Sequence, residues 1–343
     1  MTRERQGQAL EAAAALARRT LPGRFGPGTR AFSIAEGGSD RLFIRAADGP
    51  ETAVVLWQPE TGWEFDSYIE VGRFLFGCGI GVPEIYGFER RAGTILMEDL
   101  GETHLEEALA GAPPGEIHRL YEKAIEILVR LQTVVTDEMD RLGFLSERPF
   151  DEAKLLGETD YFLAEFIGGY CPVAVPSTFE AERRRLAAHL AIERRVFMHR
   201  DFQCRNIMVK EDALRLVDFQ TAHRGPGLYD AASLLKDAYH PVSREMREKL
   251  LERYYGRLEP YGALGHAGLE SFRESFTFAG IQRDMQALAA FAKLGLRKGK
   301  TRFLESIPNG LDLLEEGLKD AGVFPGMLET VMRVREQLKK KAS

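Results

Sequence analysis

The chain has 343 residues and is short of several things that other protein classes need. There are three cysteines, Cys78, Cys171 and Cys204, none at a short paired spacing. That excludes a disulfide scaffold or a Cys-rich metal site and suits a reducing compartment. No stretch approaches the ~18 consecutive apolar residues of a membrane-spanning helix, so no membrane partner is expected. With 46 Lys and Arg against 52 Asp and Glu, the net charge is −6, which argues against a general nucleic-acid binder. Asparagine occurs twice, as Asn206 and Asn309, and the first lysine is Lys123. Internal repeats and low-complexity tracts are absent. The start, "MTRERQGQALEAAAALARRTLPG", fits an amphipathic helix better than a secretory signal. A cytoplasmic monomer is the default expectation.

What is present is organised in two textures. After the breaker "LPGRFGPG", the segment "TRAFSIAEGGSDRLFIRAADGPETAVVLWQ" alternates apolar and polar residues between turn signals, and reads as three strands. The spacing of Tyr68, Val71, Phe74 and Leu75 predicts a helix between Gly62 and Cys78. "GVPEIYGFERRAGTILMEDLG" supplies two more strands. The first hundred residues therefore predict a five-stranded antiparallel sheet with one inserted helix. Beyond Gly101 the period becomes helical, over 117–131, 152–167, 178–191, 228–237, 243–257 and most of 270–340. Two short apolar segments, "RVFMH" and "LRLVDF", interrupt it as small strands.

Between those strands lies "HRDFQCRN", His199 to Asn206, and "LRLVDF" ends with Asp218 followed by Phe219. Phosphoryl transfer from a nucleotide asks the protein for positioning and charge neutralisation rather than covalent work. It needs a carboxylate to accept the attacking hydroxyl's hydrogen bond, and a few hard oxygens for Mg²⁺. Asp201 and Asn206 on one loop, with Asp218 closing the next strand, supply those groups. An ordinary polar turn, whose Asp and Asn bond their own backbone, would not account for the second Asp at the strand end.

"HRDFQCRN" followed by "VDFQ" resembles the aminoglycoside phosphotransferase-like family, relatives of the protein kinases, over nearly the whole chain. It looks most like the branch containing bacterial anomeric sugar kinases that act on N-acetylmuramate and N-acetylglucosamine. That branch has similar loop motifs and a C-terminal segment much like 280–314. The resemblance implies Asp201 as catalytic base, Asn206 and Asp218 as Mg²⁺ ligands, and His199 and Arg200 as loop-shaping residues.

Other signals are weaker alone. "EGGSDRLFIR" is a Gly-rich turn; such turns make hairpins, and their amides can also cradle phosphates. By resemblance Gly37, Gly38 and Ser39 lie over the nucleotide phosphates, and backbone groups near Glu98 and Leu100 in "ILMEDLG" bond adenine. The third strand, "TAVVLWQPE", lacks the lysine that the kinase pattern places there. An arginine must take the phosphates instead: Arg41 first, then Arg45, then Arg73, with Glu64 or Glu70 as a partner or as solvated helix charges. Asp230 reads as a helix cap or as a buttress of the loop. Arg224 reads as a substrate contact or as a surface charge. Gln282 and Arg283 read as solvent-exposed residues that could otherwise line an acceptor pocket. Cys204 reads as a small loop residue.

The expectation is an α+β, bilobal, protein-kinase-like fold. A nucleotide-binding lobe with its hinge spans 1–101 and a helical catalytic and acceptor-binding lobe spans 102–343, with a cleft between lobes as the natural ligand site. The expected activity is ATP- and Mg²⁺-dependent transfer to a hydroxyl of a small-molecule sugar or amino sugar. The alternatives are a kinase of an aminoglycoside, amino alcohol or other hydroxyl compound, and a nucleotide-binding pseudokinase without turnover.

Overall fold

A computed structural model describes residues 3–36 and 41–342. Gly37, Gly38 and Ser39, expected over the phosphates, lie outside the described residues. In chain order the structure opens with α1 (Arg3–Thr20), β1 (Arg30–Glu36), β2 (Leu42–Asp48), β3 (Glu51–Trp57), α2 (Trp63–Gly77), β4 (Ile85–Glu89) and β5 (Thr94–Met97). Next come α3 (Leu105–Leu109), α4 (Pro114–Arg130), two short turns α5 (Thr136–Glu138) and α6 (Gly143–Ser146), α7 (Glu152–Tyr161) and α8 (Thr178–Ala191). Strands β6 (Arg195–Met198), β7 (Ile207–Lys210), β8 (Ala213–Leu216) and β9 (His223–Pro226) follow. The chain finishes with α9 (Leu228–Leu235), α10 (Arg244–Leu258), α11 (Leu269–Leu296), α12 (Ile307–Ala321) and α13 (Pro325–Ala342). No helix among the described residues is long and apolar enough to cross a membrane.

The chain divides into two compact units. The first comprises Met1–His104 with Asn206–Thr221; the second comprises Leu105–Arg205 with Ala222–Ser343. The segment 206–221, which the sequence division keeps with 102–343, thus clusters with the first unit. Backbone bonds explain this: Leu216 donates to the Gly81 carbonyl at 2.7 Å and Val209 to the Thr103 carbonyl at 2.8 Å. Gly81 permits the approach, since a Cβ there would sit 2.8 Å from the Leu214 carbonyl oxygen.

In the first unit all five expected strands pair antiparallel, in the order β1-β2-β3-β5-β4. The alternation seen in sequence puts Leu42, Ile44 and Ala46 of β2 on one face, where they pack with Ala53, Val55 and Leu96. Helix α1 closes that core with Ala9, Ala13, Leu16 and Ala17. Helix α2 buries Phe65, Tyr68, Ile69, Val71 and Leu75. Gly72 on α2 is a second close approach, because a Cβ would meet Ile85 Cδ1 at 2.8 Å and the Phe219 ring at 3.0 Å.

The second unit is mostly helical. Its centre is α11, 28 residues long and buried on several faces, as expected of a helix with neighbours all round. Capping fixes two starts: Asp151 accepts from the Lys154 amide at 3.0 Å before α7, and Ser243 from the Met246 amide at 3.3 Å before α10. The expected helices are present with shifted ends, and those at 114–130 and 152–161 run on as wider π turns to Val135 and Tyr170. One strand escapes the sequence pattern. "RVFM" pairs antiparallel with β9, His223–Pro226, a segment with a Gly-Pro and no apolar alternation. "ALRL" pairs instead with β7 in a hairpin.

Candidate active site

In the first unit the β7–β8 hairpin carries Asn206 at its entrance and Asp218 just past its exit. The Val217 amide donates to the Asn206 carbonyl at 3.0 Å, so the two ends of the hairpin stay side by side. Asp218 adopts φ +64°, a left-handed conformation that a non-glycine residue holds only when its surroundings impose it. Its Oδ1 accepts from Arg41 Nη2 at 2.7 Å and from Gln220 Nε2 at 3.2 Å. Among the described residues Oδ2 has no protein partner. Behind this pair Tyr68 is fully buried, its ring 4.7 Å from that of Phe219, and Ser67 Oγ donates to the Gln220 carbonyl at 2.6 Å. Burial pushes the Tyr68 phenol up, against the pull of Arg41 and with a smaller push from Asp218, so it stays neutral beside the ion pair.

The fate of the other expected cations separates them from Arg41. Arg45 is committed to Asp99, at 2.6 and 3.1 Å, and to Glu102. Arg73 lies over the Phe88 ring at 5.5 Å, and Glu70 is exposed. The lysine-free first lobe expected from sequence also needs correction, since the hairpin brings Lys210 into the first unit. Its Nζ reaches Glu98 Oε1 and the Asp99 carbonyl, both at 2.9 Å, so it braces the segment after β5. Arg215 Nη2 binds Glu98 Oε2 and the Val82 carbonyl. Burial opposes ionisation of Glu98, but Lys210 and Arg215 hold its carboxyl below the usual range. The Glu98 amide donates to the Glu84 carbonyl at 2.8 Å. Among the described residues, the Glu98 carbonyl and the Leu100 amide make no hydrogen bond.

In the second unit the loop 199–205 is pinned by two buried aspartates. Asp230, on the first turn of α9, accepts the His199 amide at 2.6 Å and the Arg200 amide at 2.8 Å. It is thus a buttress acting on the loop backbone. Burial raises its pKa to about 7, against the pull of those two amides. Asp237 accepts the Cys204 amide at 2.8 Å and the Tyr239 amide at 2.9 Å, and burial raises its pKa too. Arg200 sits at φ +78° and sends its guanidinium to Glu158 Oε1 at 3.3 Å. Glu158 also accepts from the Tyr229 hydroxyl at 2.8 Å. Arg205 pairs with Glu106 and lies over the Tyr239 ring at 3.6 Å.

Asp201 belongs to this unit, five residues before Asn206 in the chain. The Gln203 amide donates to the Asp201 carbonyl at 2.9 Å, closing a tight turn. Both side chains meet Arg283 Nη2, at 2.8 Å from Gln203 Oε1 and 3.5 Å from Asp201 Oδ1. The expectation of solvent exposure for Gln282 and Arg283 is therefore wrong, since they are 0% and 6% exposed. The signal was a run of three polar residues, Gln282-Arg283-Asp284, inside an otherwise apolar helix. Such a run belongs inside when every neighbouring element offers partners. Next to Gln203 and Arg283 is a small recess of about 10 Å³, room for about one water, walled also by Lys236, Asp237, Asp284 and Phe291.

Remaining candidates fall away from the chemistry. Arg224 makes an ion pair with Asp140 at 3.0 Å, both partners well exposed. Cys204 is buried, and burial raises its thiol, which leaves it unsuited to nucleophilic work. Among the described residues, no group of three or more His, Cys, Asp or Glu could hold a metal ion.

The α+β kinase-like fold and the match to a family model make this chain a phosphotransferase. The chain belongs to the phosphotransferase enzyme family, whose family model matches residues 33–264. Curated relatives include the N-acetylmuramate/N-acetylglucosamine kinase of Pseudomonas aeruginosa, 30% identical over 281 residues, 81% of this chain and 80% of that one. The protein of the same name from Neisseria meningitidis is 27% identical over 82% of this chain and 84% of its own length. The fold is similar to that of a choline kinase from Cryptosporidium parvum, with a TM-score of 0.65 at 13% identity, over 94% of this chain and 99% of that one. A choline/ethanolamine kinase family protein from Mesorhizobium loti gives a TM-score of 0.60 at 18% identity, over 94% and 98%. The fold class expected from sequence stands.

Proposed function

We propose that this phosphotransferase is an ATP- and Mg²⁺-dependent kinase of an amino sugar, acting on the anomeric hydroxyl of N-acetylmuramate or N-acetylglucosamine. The observation that carries the acceptor is the likeness to curated kinases of those sugars over about four-fifths of both chains.

Asp201 accepts the hydrogen bond of the acceptor hydroxyl and takes its proton as the oxygen attacks the γ-phosphorus. The bond from that phosphorus to the bridging oxygen breaks, and ADP leaves. Asp218 and Asn206 suit Mg²⁺: they offer two hard oxygen donors, with Asp218 Oδ2 unclaimed among the described residues. When bound, the ion supplies charge neutralisation on the phosphates. Arg41, already beside Asp218, is the cation for the phosphate chain in place of a third-strand lysine. The Leu100 amide and Glu98 carbonyl offer one donor and one acceptor to adenine, and Lys210 and Arg215 keep that segment still. Gly37, Gly38 and Ser39 remain expected over the phosphates.

An intact base and both metal ligands support turnover over a silent scaffold.

The test is an ATP-consumption screen with Mg²⁺ over N-acetylmuramate, N-acetylglucosamine, other sugars, aminoglycosides and choline-like alcohols. Preference for the N-acetyl amino sugars is expected, with product alkali-stable but acid-labile as an anomeric phosphate. A clear preference for an aminoglycoside overturns the acceptor, and no turnover with any acceptor overturns the kinase.

A further inference from the structure

We propose that Arg283 is a positioning residue for phosphoryl transfer, setting the side-chain orientation of Asp201 from helix α11 through a strut shared with Gln203. The inference rests on the reading of Asp201 as the base.

The loop's own arginines are directed elsewhere. Arg200 goes to Glu158 and the Phe150 ring, and Arg205 goes to Glu106 and the Tyr239 ring. A cation that reaches Asp201 Oδ1, at 3.5 Å, comes from 82 residues further along the chain.

That cation cannot swing. Arg283 Nε donates to Ser233 Oγ at 2.9 Å, Nη1 to Gln286 Oε1, and Nη2 to Gln203 Oε1 at 2.8 Å, so its planar fork is held on three sides. The residue is 6% exposed. Burial works against the guanidinium, but Tyr229, Asp201, Asp237 and Glu158 around it more than offset that. A buried charge is a poor way to fill space, because an apolar side chain would pack there without the desolvation penalty. The geometry shows what the charge does instead. The Gln203 amide bonded to the Asp201 carbonyl turns both side chains toward Nη2. One nitrogen then fixes two loop side chains against a helix that is itself buried.

An aspartate side chain turns about two torsions, and such a strut restricts them. The carboxylate must meet the acceptor hydroxyl within hydrogen-bond reach, and a misplacement of about 1 Å costs on the order of 100-fold in rate. Because Arg283 acts through Asp201, its removal should lower kcat while leaving nucleotide binding alone.

The experiment measures steady-state kinetics and ATP affinity for Arg283→Met, Arg283→Lys and Gln203→Leu, each alone and combined with Asp201→Asn, with residual transfer followed by radiolabelled γ-phosphate. Expected for Arg283→Met is a fall in kcat of about 100-fold, with ATP Kd unchanged within about twofold. Arg283→Lys recovers part of that loss. Gln203→Leu, which leaves the buried cation in place, lowers kcat by about tenfold and serves if Arg283→Met does not fold. In the Asp201→Asn background neither substitution lowers the residual rate by more than about twofold, as for groups acting as one unit. A wild-type rate in Arg283→Met overturns the inference. So does a loss of equal size in the Asp201→Asn background, which would make Arg283 act directly on substrate. Absence of transfer by the wild-type chain with every acceptor overturns the parent reading and this inference with it. Wild-type transfer with unaffected Arg283 and Gln203 variants overturns this inference alone.

Discussion

Arg41 and Asp218, 177 residues apart, meet at 2.7 Å through Nη2 and Oδ1. The carboxylate proposed for Mg²⁺ is thus paired with the cation proposed for the phosphates. Arg41→Met should raise the Kd of ATP by about 10- to 100-fold, with Arg41→Lys in between, since losing a charge-assisted phosphate contact of this kind removes about 1.5–3 kcal/mol. Adenosine affinity should not change. Isothermal titration with ATP and with adenosine checks both, and a parallel loss for adenosine would place Arg41 outside the phosphate subsite.

Asp201→Asn should lower kcat by about 10³-fold and keep ATP affinity within about threefold, as for loss of a general base that takes no part in nucleotide binding. Single-turnover assays and direct ATP titration are the measurements. Equal losses in both would remove the base assignment.

Glu193 is buried beside Ser275, 3.9 Å from His189 Nε2, and burial raises its pKa from an ordinary 4.5 to about 7. Between about pH 4.5 and 7 the native state therefore holds a proton that the unfolded chain has lost. Unfolding free energy must fall as pH rises through that window and level off above it. Buried Asp230, also raised to about 7, contributes with the same sign. Glu193→Gln should accordingly raise the melting temperature more at pH 7.5 than at pH 5.5, by a difference worth up to about 2 kcal/mol. Thermal melts of both proteins at the two pH values decide it. A larger gain at pH 5.5 would contradict the sign.

Gly72→Ala places a methyl against Ile85 and the Phe219 ring, next to the turn that orients Asp218. Overpacking at such a contact costs about 1–3 kcal/mol. The variant should melt earlier and show a raised KM for ATP with little change in acceptor KM. An unchanged ATP KM would uncouple α2 from the Asp218 turn.

Much of this protein was readable along the chain. In the first unit β2 announces itself by period-two alternation, because it buries one face, whereas β3 and β5 are short apolar runs buried on both faces and marked by the turns around them. The hairpin that sets the Asn206 and Val217 backbones side by side was legible because it returns the chain on itself over a short stretch. β9 was not, since a four-residue strand with Gly and Pro owes its existence to the β6 partner and not to its own pattern. Gln282 and Arg283 were misjudged because polarity predicts exposure only on average; Leu155 and Glu158 receive the one, and Ser233, Gln203 and Asp201 receive the other.

Sequence alone determined the family, the sheet, the helices and the identity of the chemical groups, since those depend on local periodicity and on motifs whose members are close in the chain. Tertiary structure alone decided how the charges are shared out. Arg41 reaches Asp218, Arg45 goes to Asp99, Lys210 joins the first unit at Glu98, and Arg283 comes from α11 to Asp201. The physical reason is that an ion pair needs proximity within about 4 Å and carries no periodic trace. Only folding determines which of several equivalent cations arrives at a given carboxylate.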